Sequence, residues 1–186
     1  MIQLFGMKTS NLKQIGFSIV ELLIVTVILA ILASVTVSAY SGIQQRTRDT
    51  QRVSDMSTIV KALEMHKTLT GSYPSASTTN TITSWEVSSK NPNQFLSALK
   101  TAGVISSSIP VDPINNSSTS TTGFLYRYYR YTAGTNGCAV SRGDYYILAI
   151  GKVESTSGQL SSSPGFQCSG RDWSTDGGWI TGAYTK

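Results

Sequence analysis

Residues 17–39 decide what this chain can fold into. They read Phe-Ser-Ile-Val-Glu-Leu-Leu-Ile-Val-Thr-Val-Ile-Leu-Ala-Ile-Leu-Ala-Ser-Val-Thr-Val-Ser-Ala, and the single charged residue among them is Glu21. An apolar run of about 20 residues is long enough to cross a bilayer as one helix. A carboxylate inside such a run costs at least ~2.5–3.5 kcal/mol, so it is expected to serve a purpose and to need a partner.

An ordinary secretory signal has a basic start, an apolar stretch of about 7–15 residues and a small-residue cleavage site. Lys8 and Lys13 supply the basic part, and Val37-Ser38-Ala39 loosely fits the cleavage site. The apolar run is too long for that reading, and Glu21 lies inside it. A plain signal anchor explains the length but neither Gly16 nor Glu21. Counting basic residues at the two ends does not orient the segment, because Lys8 and Lys13 precede it while Arg46, Arg48 and Arg52 follow.

Gly16, Phe17, Glu21 and the Leu22-Leu23-Ile24-Val25 run resemble the class III signal of type IV pilins and pseudopilins, usually Gly-Phe-Thr-Leu-Ile-Glu-Leu-Leu. The resemblance implies cleavage between Gly16 and Phe17 by a prepilin peptidase and N-methylation of Phe17. It implies a leader over 1–16, whose start is Met1 or Met7, and a membrane and filament-core helix over 17–39. It also implies an N-terminus that is cytoplasmic before assembly and an assembled pilus at the cell surface. Glu21 then meets the N-terminal amine of a neighbouring subunit, a pairing that is strong where water is excluded. Two usual helix breakers are missing: Ala30 and Ser38 stand where relatives often have Gly and Pro, and Gly42 alone weakens the helix, by ~1 kcal/mol relative to Ala.

Removing residues 1–16 takes away two lysines and no acids, which leaves 13 basic and 10 acidic side chains, a formal +3. That excess is too small to argue by itself for nucleic-acid or anionic-membrane binding. Between residues 44 and 69 there is no Pro or Gly, and Val53, Met56, Ile59, Val60, Leu63 and Leu69 recur at helical spacing. The helix is therefore expected to continue over 40–70 as an amphipathic segment, ended by Gly71 and Pro74. Residues 71–186 form the head. Within it 75–89 and 115–122 read as Ser/Thr-rich loops, 93–102 as a short helix, and 123–131 with 144–153 as an antiparallel strand pair. The fold class is α+β: a long N-terminal helix against a small antiparallel sheet, the layout the family resemblance also implies.

Cys138 and Cys168 lie in the exported part, where an oxidising compartment lets them pair into a C-terminal disulfide loop. The tail beyond Cys168, with Trp173 and Trp179, is expected to fold back only if the disulfide pins it. Asp112, Asn115 and Asp144 offer the oxygen ligands that calcium takes, and major pseudopilins hold calcium near a similar Asp-Pro. The competing reading makes Asp112 a turn residue between Pro110 and Pro113. Arg127 and Arg130, interleaved with tyrosines, suit DNA binding by stacking and phosphate pairing. On a strand, however, successive side chains alternate between faces, and a half-buried strand fits better. His66 is expected in a solvated or interface position.

No nucleophile–base pair, phosphate loop or carboxylate dyad points to an enzyme. The resemblance implies a subunit that polymerises with copies of itself and related pilins on a membrane assembly platform, after residence in membrane lipid. A pilus for adhesion, motility or DNA uptake is the first reading, and a major pseudopilin of a type II secretion system the second. A membrane-anchored module that binds DNA or another ligand without polymerising is the alternative of another class.

Overall fold

The computed structural model describes residues 16–117 and 119–186. Residues 1–15, the expected leader but for Gly16, with Lys8, Lys13 and both candidate start methionines, lie outside them. The α+β layout is present: helix α1 spans Ile19–Thr70 and is followed by a five-stranded antiparallel sheet. The chain divides into two compact units, Met1–Ser41 and Gly42–Lys186.

In the second unit α1 buries one stripe, Met56, Ile59, Ala62 and Leu63, and leaves Val53 and Val60 half-buried. Leu69 departs from the expected stripe and is 62% exposed. Six residues beyond Leu63 at 100° each, it points well away from the core. The position that continues the stripe is His66, which is buried rather than solvated. Its Nδ1 lies 2.9 Å from the Ser72 carbonyl and 3.1 Å from the Thr70 hydroxyl, so the ring closes the end of the helix. Gly71 adopts φ +81° and donates its N–H to the Lys67 carbonyl, a left-handed cap that glycine accepts without strain.

The strands run in the order β1 (Thr81–Ile82), β2 (Trp85–Val87), β3 (Tyr126–Tyr131), β4 (Tyr145–Ile150) and β7 (Trp179–Tyr184). A separate hairpin pairs β5 (Gln167–Cys168) with β6 (Arg171–Asp172). All six residues of β4 are buried, as its unbroken apolar sequence requires of a strand covered on both faces. Tyr146, Leu148 and Ile150 join the core against α1. Tyr145, Ile147 and Ala149 face the opposite way, onto Cys138, Trp173 and Ile180. Tyrosine hydroxyls tie the inner face to its cover: Tyr126 donates to Asp55 at 2.7 Å and Tyr128 to the Pro74 carbonyl at 2.7 Å.

Three local expectations are corrected. Residues 75–89 are not simply a surface loop, because Ile82, Trp85 and Val87 belong to β1 and β2, and β2 pairs with β3 through Glu86 and Val87. Buried Glu86 fixes this segment by accepting the Ser77 and Leu96 amides at 2.9 and 2.6 Å. The expected helix at 93–102 shortens to α2, Ser97–Thr101, preceded by Leu96 at φ +47°. The tail is held by more than the Cys138–Cys168 disulfide, since β7 pairs with every residue of β4.

Candidate assembly site

The first unit begins with a capping box. Ser18-Ile19-Val20-Glu21 has the S-x-x-E pattern of such a box, with the carboxylate reaching back to the cap amide and the cap hydroxyl taking the Val20 amide in place of that of Glu21. The Ser18 hydroxyl accepts the Val20 amide at 3.3 Å, and Glu21 Oε2 accepts the Ser18 amide at 2.9 Å. The carboxylate is thereby folded back over the positive end of the helix onto the Ser18 amide, one residue beyond Phe17. That pattern was readable in the sequence and gives Glu21 a local role beside any intermolecular one.

From Phe17 to Leu32 the large apolar side chains are 50–84% exposed, on every side of the helix. A helix that is apolar all round finds a stable setting only in lipid or among other apolar helices. Its hydroxyls are compatible with both: Thr26, Ser34 and Thr36 donate to the carbonyls of Leu23, Ile31 and Leu32 at 2.7–2.9 Å. No donor among these three needs water. The segment is long and apolar enough to cross a membrane, with a mean hydropathy of 2.7 over its best window.

The other candidates have different surroundings. Cys138 and Cys168 are joined by a disulfide. Asp112 is buried and gives both oxygens to Arg52, at 2.7 and 3.1 Å, and one also to the Ile114 and Asn115 amides. Asn115 caps Ser88, while Asp144 accepts the Ala133 amide at the β3–β4 loop and pairs with Arg130. The three calcium candidates therefore do not converge on one site. Arg127 is buried, stacks over Trp85 at 4.7 Å and donates to the Asp176 carbonyl. Arg130 donates to the Tyr73 carbonyl on the inner side of the sheet. The two arginines share no surface on which a nucleic acid would lie.

Sequence reasoning missed a buried ion cluster in the second unit. Arg52, with 0% exposure, donates to Asp112, Asp49 and Glu154, and Arg48 holds Glu154 through two bonds of 2.8 and 2.5 Å. Asp49 in turn accepts the Glu154 and Ser155 amides. The cluster fastens residues 112–115 and 154–155 onto α1. Its only sequence signal was Arg48, Asp49 and Arg52 on one stretch of helix; the partners lie 60 and 102 residues away.

Residues 11–37 match the family described as the prokaryotic N-terminal methylation motif. The chain carries a prepilin-type methylation motif. The motif takes in Gly16, Phe17, the Ser18–Glu21 capping box and most of the exposed apolar helix. The chain is also 36% identical over 66 residues to the type II secretion system core protein G of Pectobacterium carotovorum subsp. carotovorum. That match covers 36% of this chain and 42% of that protein, less than half the length of either. No solved structure matches the chain.

Proposed function

We propose that this chain is a structural subunit of a type IV pilus-like filament. In this reading a prepilin peptidase cuts between Gly16 and Phe17, the Phe17 amine is methylated, and residues 17–39 hold the subunit in the membrane until assembly. The apolar helices of many copies, and of related pilins, then bury one another as an assembly platform lifts them from lipid. The observation that carries the reading is the apolar helix of the methylation motif, exposed all round, with one carboxylate in its first turn. Glu21 exchanges its local bond to the Ser18 amide for a neighbour's ammonium when one is available, because two opposite full charges in apolar surroundings attract more strongly than a carboxylate and one amide dipole. The subunit is structural, and no catalytic step is assigned to it.

The similarity to the core protein G favours a second reading within the same class, a major pseudopilin whose filament serves secretion. One experiment separates these. Intact mass and N-terminal sequencing are performed on sheared cell-surface fibres and on the envelope fraction. A methylated Phe17 in surface fibres supports the pilus, and the same N-terminus confined to the envelope supports the pseudopilin. An uncut chain, or one starting near Tyr40, overturns both. Glu21→Ala is expected to leave insertion and cleavage intact and to reduce filament yield severely.

A further inference from the structure

The C-terminal region covers the outer face of the sheet over β4 and β7 and reaches β3 through Asp176 on Arg127 and Trp173 on Tyr131, but it covers the aromatic side chains of β2 and β3 only in part. There Trp85, Tyr129 and Tyr131 are only half-buried and form one aromatic group. Trp85 lies 5.9 Å from Tyr129 and 6.3 Å from Tyr131, and Tyr129 meets Tyr131 edge-on at 4.5 Å. Tyr131 is braced from the side by its cross-strand neighbour Tyr145, stacked at 5.0 Å, and by Trp173 at 5.5 Å.

Tyr129 also forms part of the wall of a groove of about 450 Å³ beside the β1–β2 hairpin. Six hydroxyl side chains line it: Ser75, Ser77, Thr78, Thr81, Ser84 and Thr132. The hydroxyls of Ser75, Thr78, Thr81 and Ser84 have no protein partner among the described residues. The one charged side chain in the wall, Arg130, is already engaged by the Tyr73 carbonyl and Asp144. The groove wall therefore offers one aromatic ring, Tyr129, and unengaged neutral hydrogen-bonding groups, with no unpaired charge.

The turn beside it is strained. Thr83 and Ser84 have φ of +46° and +71°, in a two-residue hairpin loop where Asn-Gly is the usual solution. A β-branched residue at positive φ is a genuine outlier, and such strain gathers at binding and catalytic sites. Here it sets Ser84 in the groove wall and Trp85 next to it.

We infer that this groove binds a neutral sugar. A pyranose ring has an apolar face that stacks on tyrosine or tryptophan and a rim of hydroxyls that exchange hydrogen bonds with serine and threonine. Rigid aromatic rings with adaptable hydroxyls are also the composition of efficient recognition surfaces generally. A phosphate-bearing ligand is disfavoured, since Arg127 is buried and Arg130 is paired. The site lies wholly in the second unit and does not depend on polymerisation.

The test uses the full chain in micelles of a phosphocholine detergent, which carries no sugar. Lactose, maltotriose and chitotriose are titrated separately while amide and indole NMR signals are followed, with an octathymidylate for comparison. Saturable shifts of groove residues are expected with at least one sugar. Tyr129→Ala is expected to weaken binding about tenfold or more, as loss of an aromatic anchor does. Ser84→Gly is expected to weaken binding while the melting temperature holds or rises, because glycine relieves the positive φ. This second variant answers the question even if Tyr129→Ala fails to fold. Absence of saturable shifts with all three sugars, preference for the octathymidylate, or binding unchanged by Ser84→Gly and by any folded Tyr129→Ala would overturn the inference. Loss of the filament reading would leave each of these results intact.

Discussion

Arg52 is the residue on which the second unit depends most. Its guanidinium is wholly buried yet carries three carboxylate partners, and their hydrogen bonds hold it charged against the burial that works to neutralise it. Removing one member of such a cluster strands the others, which typically costs about 3–5 kcal/mol. Arg52→Met should therefore lower the stability of the head by that order in urea unfolding. The pH profile checks the same cluster. Burial would raise the Asp49 carboxyl, but the Ser155 and Glu154 amides and Arg52 outweigh it and lower it; Glu154 is lowered by Arg48 first and then Arg52. With folded values below the unfolded ones near 4, this stabilisation is complete above about pH 5 and disappears as pH falls through the folded values. Asp55 and Glu86 have the opposite sign, because burial raises both. Protonating them on mild acidification removes a penalty, so stability should rise slightly before it collapses below about pH 4. A collapse of the same depth in Arg52→Met would remove Arg52 as a cause of it, leaving Arg48 and the Ser155 and Glu154 amides.

At the scale of elements, the Cys138–Cys168 disulfide closes 30 residues that carry β4 and the chain leading into β5. In the chain-entropy picture a loop of this size contributes about 3–4 kcal/mol. Replacing both cysteines by serine should cost that much in urea unfolding. Tryptophan emission should shift to the red before the sheet's circular dichroism signal falls, since Trp173 is packed on the disulfide side while β7 stays paired to β4. The elements also differ in how plainly the sequence declared them. The second half of helix α1 was legible because apolar residues at 3.6-residue spacing recorded its burial, and the β3–β4 pair because both strands are rich in β-branched and aromatic residues. Hairpin β1–β2 was not, because its turn is Thr-Ser rather than Asn-Gly and its strands are two and three residues long. Arg52 with Asp112 and Glu154 was also hidden, since ion pairs across 60 and 102 residues leave no local pattern. The Ser18–Glu21 contact is different, because its S-x-x-E pattern is local and legible in the sequence.

At the scale of the whole molecule, the two units require different solvents. Every member of the buried clusters lies between Met56 and Ile180, and even the half-buried residues packed on them lie between Val53 and Tyr184. The apolar side chains of 17–32 contribute to none of them. The second unit is 145 residues long, enough to bury roughly two thirds of its unfolded surface. A chain beginning at Gly42 should therefore be soluble without detergent and, with its disulfide intact, unfold in one cooperative transition. The full chain should need detergent, because more than a turn-by-turn hydrogen-bonded backbone is required to keep an all-round apolar helix in water. Aggregation of the Gly42 chain, or a broad non-cooperative melt, would mean that residues 17–41 supply packing to the head. The apolar helix would then be part of the head's fold rather than a segment held ready for lipid and for other copies.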